Sequence, residues 1–361
     1  MRKCSPAMAL LFLGLLASGC SGAPQGNVDP ATPMVATPVA TIAPAAGANG
    51  SAQPAVAPAE PTTAATAAAV APTVVALSLG NLTVEEYPIV AQEVDTPSHF
   101  EFNQRVAPAV LEKREAWRTP IPEERVARAN DALAQFGYRL APKGEQDGFL
   151  FDLYRGENVV KADIDAVWPI SVAASGQELA LAVETAGGTY LVRRDRVEPW
   201  DPSQHAAIAP VMVGDDLVSV DIAANGKDWD VRRAEQVVYT VRDKPIVVAS
   251  PVKGLWSWDG HWVLEVDGQV IVDGQDLNGE LGYDEIFAWQ LLDGQPFYFF
   301  KQGAQVGVSY AGQTLAPRYD DVVHYECCEP AAFNVTGNGT MVWGYALRDG
   351  MWDYIEMGVY K

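Results

Sequence analysis

The feature that most narrows the fold is a self-similarity in the last third of the chain. At a shift of 36 residues, Trp262-Val263-Leu264 falls on Tyr298-Phe299-Phe300, Gln269-Val270 on Gln305-Val306, and Tyr283-Asp284-Glu285-Ile286 on Tyr319-Asp320-Asp321-Val322, without a gap. Between these marks, runs of Val, Tyr, Trp and Phe alternate with Asp-Gly, Gly-Gln and Asn-Gly pairs, the punctuation of antiparallel hairpins. Each unit therefore reads strand, turn, strand, turn, then a Tyr-Asp strand. A second match stands upstream at a spacing of 39, where residues 188–194 resemble residues 227–233 over their later positions. With more divergent copies at 156–168 and 349–355, the units start near 149, 178, 217, 262, 297 and 341, five or six in all.

A unit of three or four short strands cannot bury both faces alone, so neighbouring units must stack. Unit lengths of about 29 to 45 residues suit propeller blades better than thin solenoid coils. The expected fold is mainly β, a repeat array forming a five- or six-bladed β-propeller, with a short N-terminal helical segment. An open β array or a β-sandwich is the alternative, because the spacing is irregular. If the ring closes, the strand-like segment 77–90 pairs with the last blade near 341–360 and ties the two ends together.

Residues 301–322 resemble the WG-repeat family, whose units run Gly, Trp-Gly, strand, Gly, then a Tyr-Asp strand. Val306 stands where the tryptophan before Gly307 is expected, and Trp343-Gly344 keeps the dipeptide. Asp349-Gly350-Met351-Trp352 keeps the tryptophan but places Asp353 where glycine belongs. The resemblance covers roughly the last 110 residues. It implies a β-repeat array with binding and surface roles rather than one reaction.

The N-terminus points to a location. Arg2 and Lys3 precede an apolar run from Ala7 to Ala17, which ends in Ala17-Ser18-Gly19-Cys20. The run is about half the ~20 residues needed to span a bilayer, so it reads as a secretory signal over 1–19. The cysteine after small residues resembles the lipobox of bacterial lipoproteins, with Ala17 where leucine is usual. That resemblance implies acylation of Cys20, membrane attachment through its lipid, and a head on the extracytoplasmic side of a bacterial cell envelope. An ordinary cleaved signal with Cys20 as a bystander is the alternative.

Residues 20–78 are dominated by Ala, Pro, Thr, Val and Gly, with only Asp29 and Glu60 charged and no aromatic residue. Such a segment cannot build a core and reads as a disordered tether. It would span roughly 40 Å as a coil and roughly 180 Å as polyproline II. The folded head is then 79–361, with a helical shoulder at 99–140 and β-repeats over 148–361. In the shoulder the clearest helix is 122–136: Pro122 suits a first turn, Gly137 a C-terminal cap, and Val126, Ala129, Leu133 and Phe136 share one face. An amphipathic segment at 105–118 precedes it.

The formal charge is -21, from 25 basic and 46 acidic residues, which repels phosphate backbones and argues against nucleic acid as a partner. The partners to expect are an extracellular glycan, peptide or protein. The densest aromatic stretch is Trp256-Ser257-Trp258-Asp259-Gly260-His261-Trp262, a hairpin turning at Asp259-Gly260. Strand alternation puts Trp256 and Trp258 on one face, where indoles stack on a sugar or fill space between blades, and Trp262 adds a third candidate ligand-binding side chain.

His324-Tyr325-Glu326-Cys327-Cys328 is the most unusual chemistry. On a strand His324, Glu326 and Cys328 share a face and suit zinc or copper; alternatively Cys327 and Cys328 form a disulfide, or are reduced and buried. The acidic run 273–280 invites calcium but departs from an EF-hand loop, and a turn of solvated carboxylates explains it. No resident cofactor is expected. His99, His205 and His261 have no partners in sequence. The Asp residues of the Tyr-Asp corners recur in each unit, as turn-building residues do. No nucleophile elbow, phosphate loop or metalloprotease motif occurs. A non-catalytic binding head is therefore the first reading. An envelope hydrolase acting on polysaccharide or peptidoglycan, with Glu326, Asp284 or Asp320 in one pocket, is the second, and a metal or redox envelope protein the third.

Overall fold

The computed structural model describes residues 75–90, 122–143, 150–193, 196–201, 203–246, 249–327 and 333–360. The signal, Cys20, the tether to residue 74, the segment 105–118, His99 and Cys328 lie outside the described residues. The described chain is mainly β, organised as five antiparallel sheets.

Sheet 1 runs in the order Tyr138–Pro142, Phe151–Arg155, Asn158–Val167, Leu179–Thr185, Gly188–Arg193 and Arg196–Pro199, with Ser171–Val172 also on Leu179–Thr185. Sheet 2 is Val211–Val213, Asp216–Ile222, Trp229–Arg233 and Gln236–Val241. Sheet 3 is Val252–Trp258, His261–Val266, Gln269–Val272 and Gln275–Asp276, and sheet 4 is Glu285–Leu292, Gln295–Gln302, Gln305–Tyr310 and Gln313–Tyr319. Sheet 5 joins the two ends of the head. Its order is Val75–Leu79, Leu82–Val90, Met351–Gly358 and Met341–Arg348, with Asp321–Val322 and Thr336–Gly337 both pairing on the last of these. The register Thr83↔Gly358 through Val90↔Trp352 is the pairing of chain ends expected for a propeller.

The 36-residue repeat is the step from sheet 3 to sheet 4. Trp262 and Tyr298 sit on the second strands, and Val270 and Val306 on the third. The Tyr-Asp corners are the passages from one sheet to the next, and the aspartates hold turns. The Asp284 carboxylate accepts from Gly303 N–H at 2.7 Å, and the Asp320 carboxylate accepts from Asp349 N–H at 2.8 Å. The Asp-Gly turns adopt the left-handed pairs that tight hairpins require, as at Asp259 (φ 48°) and Gly260 (φ 82°).

Each sheet buries its faces against its neighbours in chain order. Ala173, Trp200, Met212 and Leu217 pack between sheets 1 and 2, and Trp229, Val252, Trp262 and Leu264 between sheets 2 and 3. Trp256, Val263, Trp289 and Phe300 fill the space between sheets 3 and 4, while Phe297, Phe299, Val342 and Ile355 fill that between sheets 4 and 5. This is a propeller-like array of hairpin sheets.

Three boundaries are corrected. The units placed near 149 and 178 are parts of one seven-stranded sheet, because Asn158–Val167 pairs with both Phe151–Arg155 and Leu179–Thr185. The first strand begins at Val75, inside the expected tether, where Ala76 and Leu77 pair with Glu85 and Val84. Residues 138–142, counted with the helical shoulder, are a strand. The helix itself is Pro122–Ala134 and ends beside Gly137 at φ 72°. Ala129 and Leu133 are buried on sheet 1, and the Asn130 side chain clamps the helix by bonding both N–H and C=O of Leu140 at 2.7 and 2.9 Å.

Candidate functional site

An open cavity of about 400 Å³ lies between sheets 3, 4 and 5, with residues 207–208 and 249–250, which flank sheet 2, also in its wall. Its walls are built by local departures from the repeat. In sheet 4 the first strand bulges: pairing jumps from Phe287↔Phe299 to Gln290↔Phe297, and Ala288 takes φ 52°. A bulge frees N–H groups from the ladder, and a buried N–H needs another acceptor. Glu265, from the second strand of sheet 3, supplies it. Its Oε1 accepts from Ala288 N–H at 3.1 Å and its Oε2 from Trp289 N–H at 2.7 Å.

The second departure is in sheet 5. The edge strand is split into Asp321–Val322 and Thr336–Gly337, and between them residues 324–326, 334 and 335 line the cavity wall. Tyr325 adopts φ 56° and donates its hydroxyl to Glu265 Oε1 at 2.5 Å, while accepting from Gly268 N–H at 3.2 Å. Glu265 is only 1% exposed, and burial pushes its pKa up to about 7 against the lowering effect of its three donors. Burial, and then the Glu265 charge, raises Tyr325 far above the ordinary phenol range. Its hydroxyl therefore donates to Glu265 throughout the physiological range.

His324 stands beside this pair. Its ring stacks on Phe287 at 3.8 Å, its Nδ1 is 2.5 Å from the Val322 carbonyl and its Nε2 is 3.1 Å from Glu285 Oε1. Burial opposes protonation of the ring, but the bonds to Glu285 and Val322 outweigh it and raise the pKa. The same hydrogen bond from His324 lowers the Glu285 carboxyl. Gly268 is required here: at φ 78°, a Cβ would also meet Glu285 Oε1 at 2.6 Å. Lys253 lies over the Tyr325 ring at 4.6 Å, donates to Ser250 C=O at 2.8 Å and pairs with Asp267 at 3.3 Å.

Trp256 and Trp289 line the cavity with ring centroids 4.9 Å apart and a tilt of 51°. Gln290 completes this wall. Its amide lies between Ala288 and Gly337, both lining residues, and the residue as a whole is 6% exposed. Its Nε2 has a long 3.5 Å contact to Ala288 C=O.

The aromatic hairpin divides between two cores. Trp256 and Trp258 share the face toward sheet 4, whereas Trp262 is 3% exposed on the opposite face, beside Tyr239. Only Trp256 of the three lines the cavity. His324 and Glu326 both line it, but Tyr325's left-handed backbone breaks the strand alternation on which a shared ligand face depended. Cys327 is exposed, and its pairing with Cys328 rests on a residue outside the described ones. Among the described residues no cluster of three or more His, Cys, Asp and Glu side chains is arranged to hold a metal ion. In the acidic run, Asp273 accepts from Trp262 N–H and binds His261 at 2.6 Å, and Asp276 caps a short helix, Leu277–Leu281, that the strand pattern did not suggest. His205 binds Asp221 at 2.7 Å and stacks on Trp200. The cavity wall takes in Glu326 but neither Asp284 nor Asp320, which hold their turns.

No protein-family model matches the chain, and no curated protein matches it. Among solved structures it is similar to the β-propeller domain of Cps50 (Swd1) from Myceliophteria thermophila, at 10% identity and TM-score 0.30 over 61% of this chain and 80% of that one. It is also similar to BBS1N in complex with ARL6DN, at 12% identity and TM-score 0.27 over 58% and 72%. A third similar structure is a puromycin-hydrolyzing peptidase of Mycobacterium tuberculosis, at 14% identity and TM-score 0.30 over 58% of this chain and 41% of that one. At such scores the propeller-like architecture rests on the sheets themselves.

Proposed function

We propose that the chain is a surface-anchored lipoprotein whose β head captures an extracytoplasmic ligand without chemistry. In this reading Cys20 carries the lipid, residues 20–74 give reach, and the repeats are divergent members of the WG-repeat type. The observation that supports capture is the cavity itself. It is open, has two indoles and a buried amide in its wall, and uses its buried carboxyl, Glu265, to hold the bulge and the sheet 5 insertion. A carboxyl so engaged by three donors is committed to structure. Pockets of this volume and mixed lining are the ordinary form of small-ligand sites.

The test has two arms. Mass spectrometry of the mature protein should find a diacylated or triacylated Cys20, and Cys20→Ala should release the protein from membranes. Screening the full chain against glycan and peptide arrays should give ligands whose binding is lost in Trp256→Ala. A soluble mature protein, or array ligands indifferent to Trp256, would refute the corresponding half of the reading.

A further inference from the structure

We propose that the cavity recognises the acetamido group of an N-acetylated amino sugar, through the Gln290 amide and the indoles of Trp256 and Trp289. This rests on the capture reading above and names its ligand class. A carboxamide has two N–H donors and an oxygen with two lone pairs, and burial makes each unmet group costly. Gln290 is 6% exposed, yet the described residues give its amide one contact, at 3.5 Å, beyond the range of a good hydrogen bond. Its oxygen faces the Gly337 backbone, where a side chain would collide with it: a Cβ at Gly337 would lie 1.9 Å from Oε1. The amide thus occupies the place a side chain at 337 would take, and only a glycine there lets it sit in the cavity wall.

The group that complements a carboxamide is another amide, which returns one donor and one acceptor. The charges around the site, with the Glu326 carboxylate in the wall, argue against an anionic ligand. His324 is paired with Glu285 and Lys253 with Asp267, and Glu265 is held by three donors, so none of these requires a counter-ion from outside. The adjacent indoles offer apolar surface for the acetyl methyl and for the C–H face of a pyranose. Lys253 and Glu326, on the walls of the same cavity, suit a ligand bearing hydroxyls on several sides. A glutamine or asparagine side chain from a partner protein would bring the amide but would present methylenes to those groups. The volume of about 400 Å³ accommodates a single sugar unit.

Calorimetric titration of the full chain with N-acetylglucosamine and with glucose tests the assignment. The N-acetylated sugar should bind at least roughly tenfold more tightly, because the amide is left unpaired by glucose. Gln290→Leu should erase that preference, with thermal unfolding recorded to verify folding. Gly337→Ala, which crowds the amide without removing it, should weaken the preference in the same direction. Equal affinity for the two sugars, absence of N-acetylglucosamine binding, or unchanged preference in both variants would overturn the proposal. So would tighter binding of N-acetylglutamine amide, which would assign the site to a protein side chain. Equal sugar affinities that still depended on Trp256 would overturn the acetamido assignment alone and leave the capture reading standing.

Discussion

Glu86 is fully buried on the strand Leu82–Val90 of sheet 5, where it accepts from Tyr319 Oη at 2.7 Å, Arg318 Nη2 at 3.0 Å and Arg348 Nη1 at 2.5 Å. These donors belong to sheets 4 and 5, so one carboxylate ties the chain's first hairpin to its last two sheets. Glu86→Ala would leave a buried phenol and two guanidinium groups, whose side chains are only 24% and 22% exposed, without their shared acceptor. Removing one partner of a buried ion pair costs about 3–5 kcal/mol, and the partial exposure of both arginines places this case at the lower end, about 3 kcal/mol. Urea unfolding should show that loss, and Glu86→Gln, which keeps an acceptor oxygen for Tyr319 and the arginines, should cost less than Glu86→Ala.

The pH response supplies a second readout. Burial raises Asp353 to about 6, Arg348 opposes the rise, and the Glu86 charge adds to it. A raised carboxyl favours the folded state when protonated, so its contribution is present below about 3.8 and is lost as pH rises through about 6. Without Glu86 the loss across this window should shrink. A stability change below about 1 kcal/mol, within the range of an exposed pair, with the window unaltered, would refute the latch.

Glu265 behaves in the same sense over a higher window. Its stabilising protonated form is present below about 4.5 and lost as pH approaches and passes about 7, a change on the order of 3 kcal/mol that Glu265→Gln should remove from the pH dependence of chemical denaturation. His324, raised above 6.5, adds stability at low pH that is lost as pH rises through its folded value, so His324→Gln should flatten the alkaline side of the same curve. Gly254→Ala would place a Cβ 2.0 Å from the Trp256 ring, so it should cost about 1–3 kcal/mol and shift the tryptophan emission. Asp284→Ala and Asp320→Ala should each cost about 1 kcal/mol by the same denaturation assay and leave ligand binding unchanged.

The repeat, the Asp-Gly turns, the joining of chain ends and the helix with its buried face were legible in the sequence because each is a local or periodic signal. Glu265 and Glu86 left a trace that could have been followed. Glu265 alternates with Val263 on the sheet 4 side of its strand, and Glu86 alternates with Leu82 and Val84, so each is a charge on a buried face. Their partners left none. Tyr325 is 60 residues from Glu265 and Arg348 is 262 from Glu86, separations closed by packing against sheet 3 in the first case and by strand pairing within sheet 5 in the second. Over residues 324–327 the strand reading failed because Tyr325 is left-handed and none of these residues pairs in the sheet.

An array of similar sheets presents similar surfaces, so a unique site must come from the places where the repeat is broken. Here the breaks depend on one another. The Ala288–Trp289 bulge needs an outside acceptor, Glu265 needs donors to be buried, and the insertion carrying Tyr325 is held at the wall by the bond it gives Glu265. Each is unfavourable alone, so their energies should not add. Tyr325→Phe removes a donor that lowers the Glu265 pKa, and should move the Glu265 titration upward. A double-mutant cycle of Tyr325→Phe and Glu265→Gln should show coupling of about 1–3 kcal/mol, because the two groups share one network. Additive effects within about 0.5 kcal/mol would mean that the bulge and the insertion are independent features of the two sheets, and that the cavity between them is not a built site.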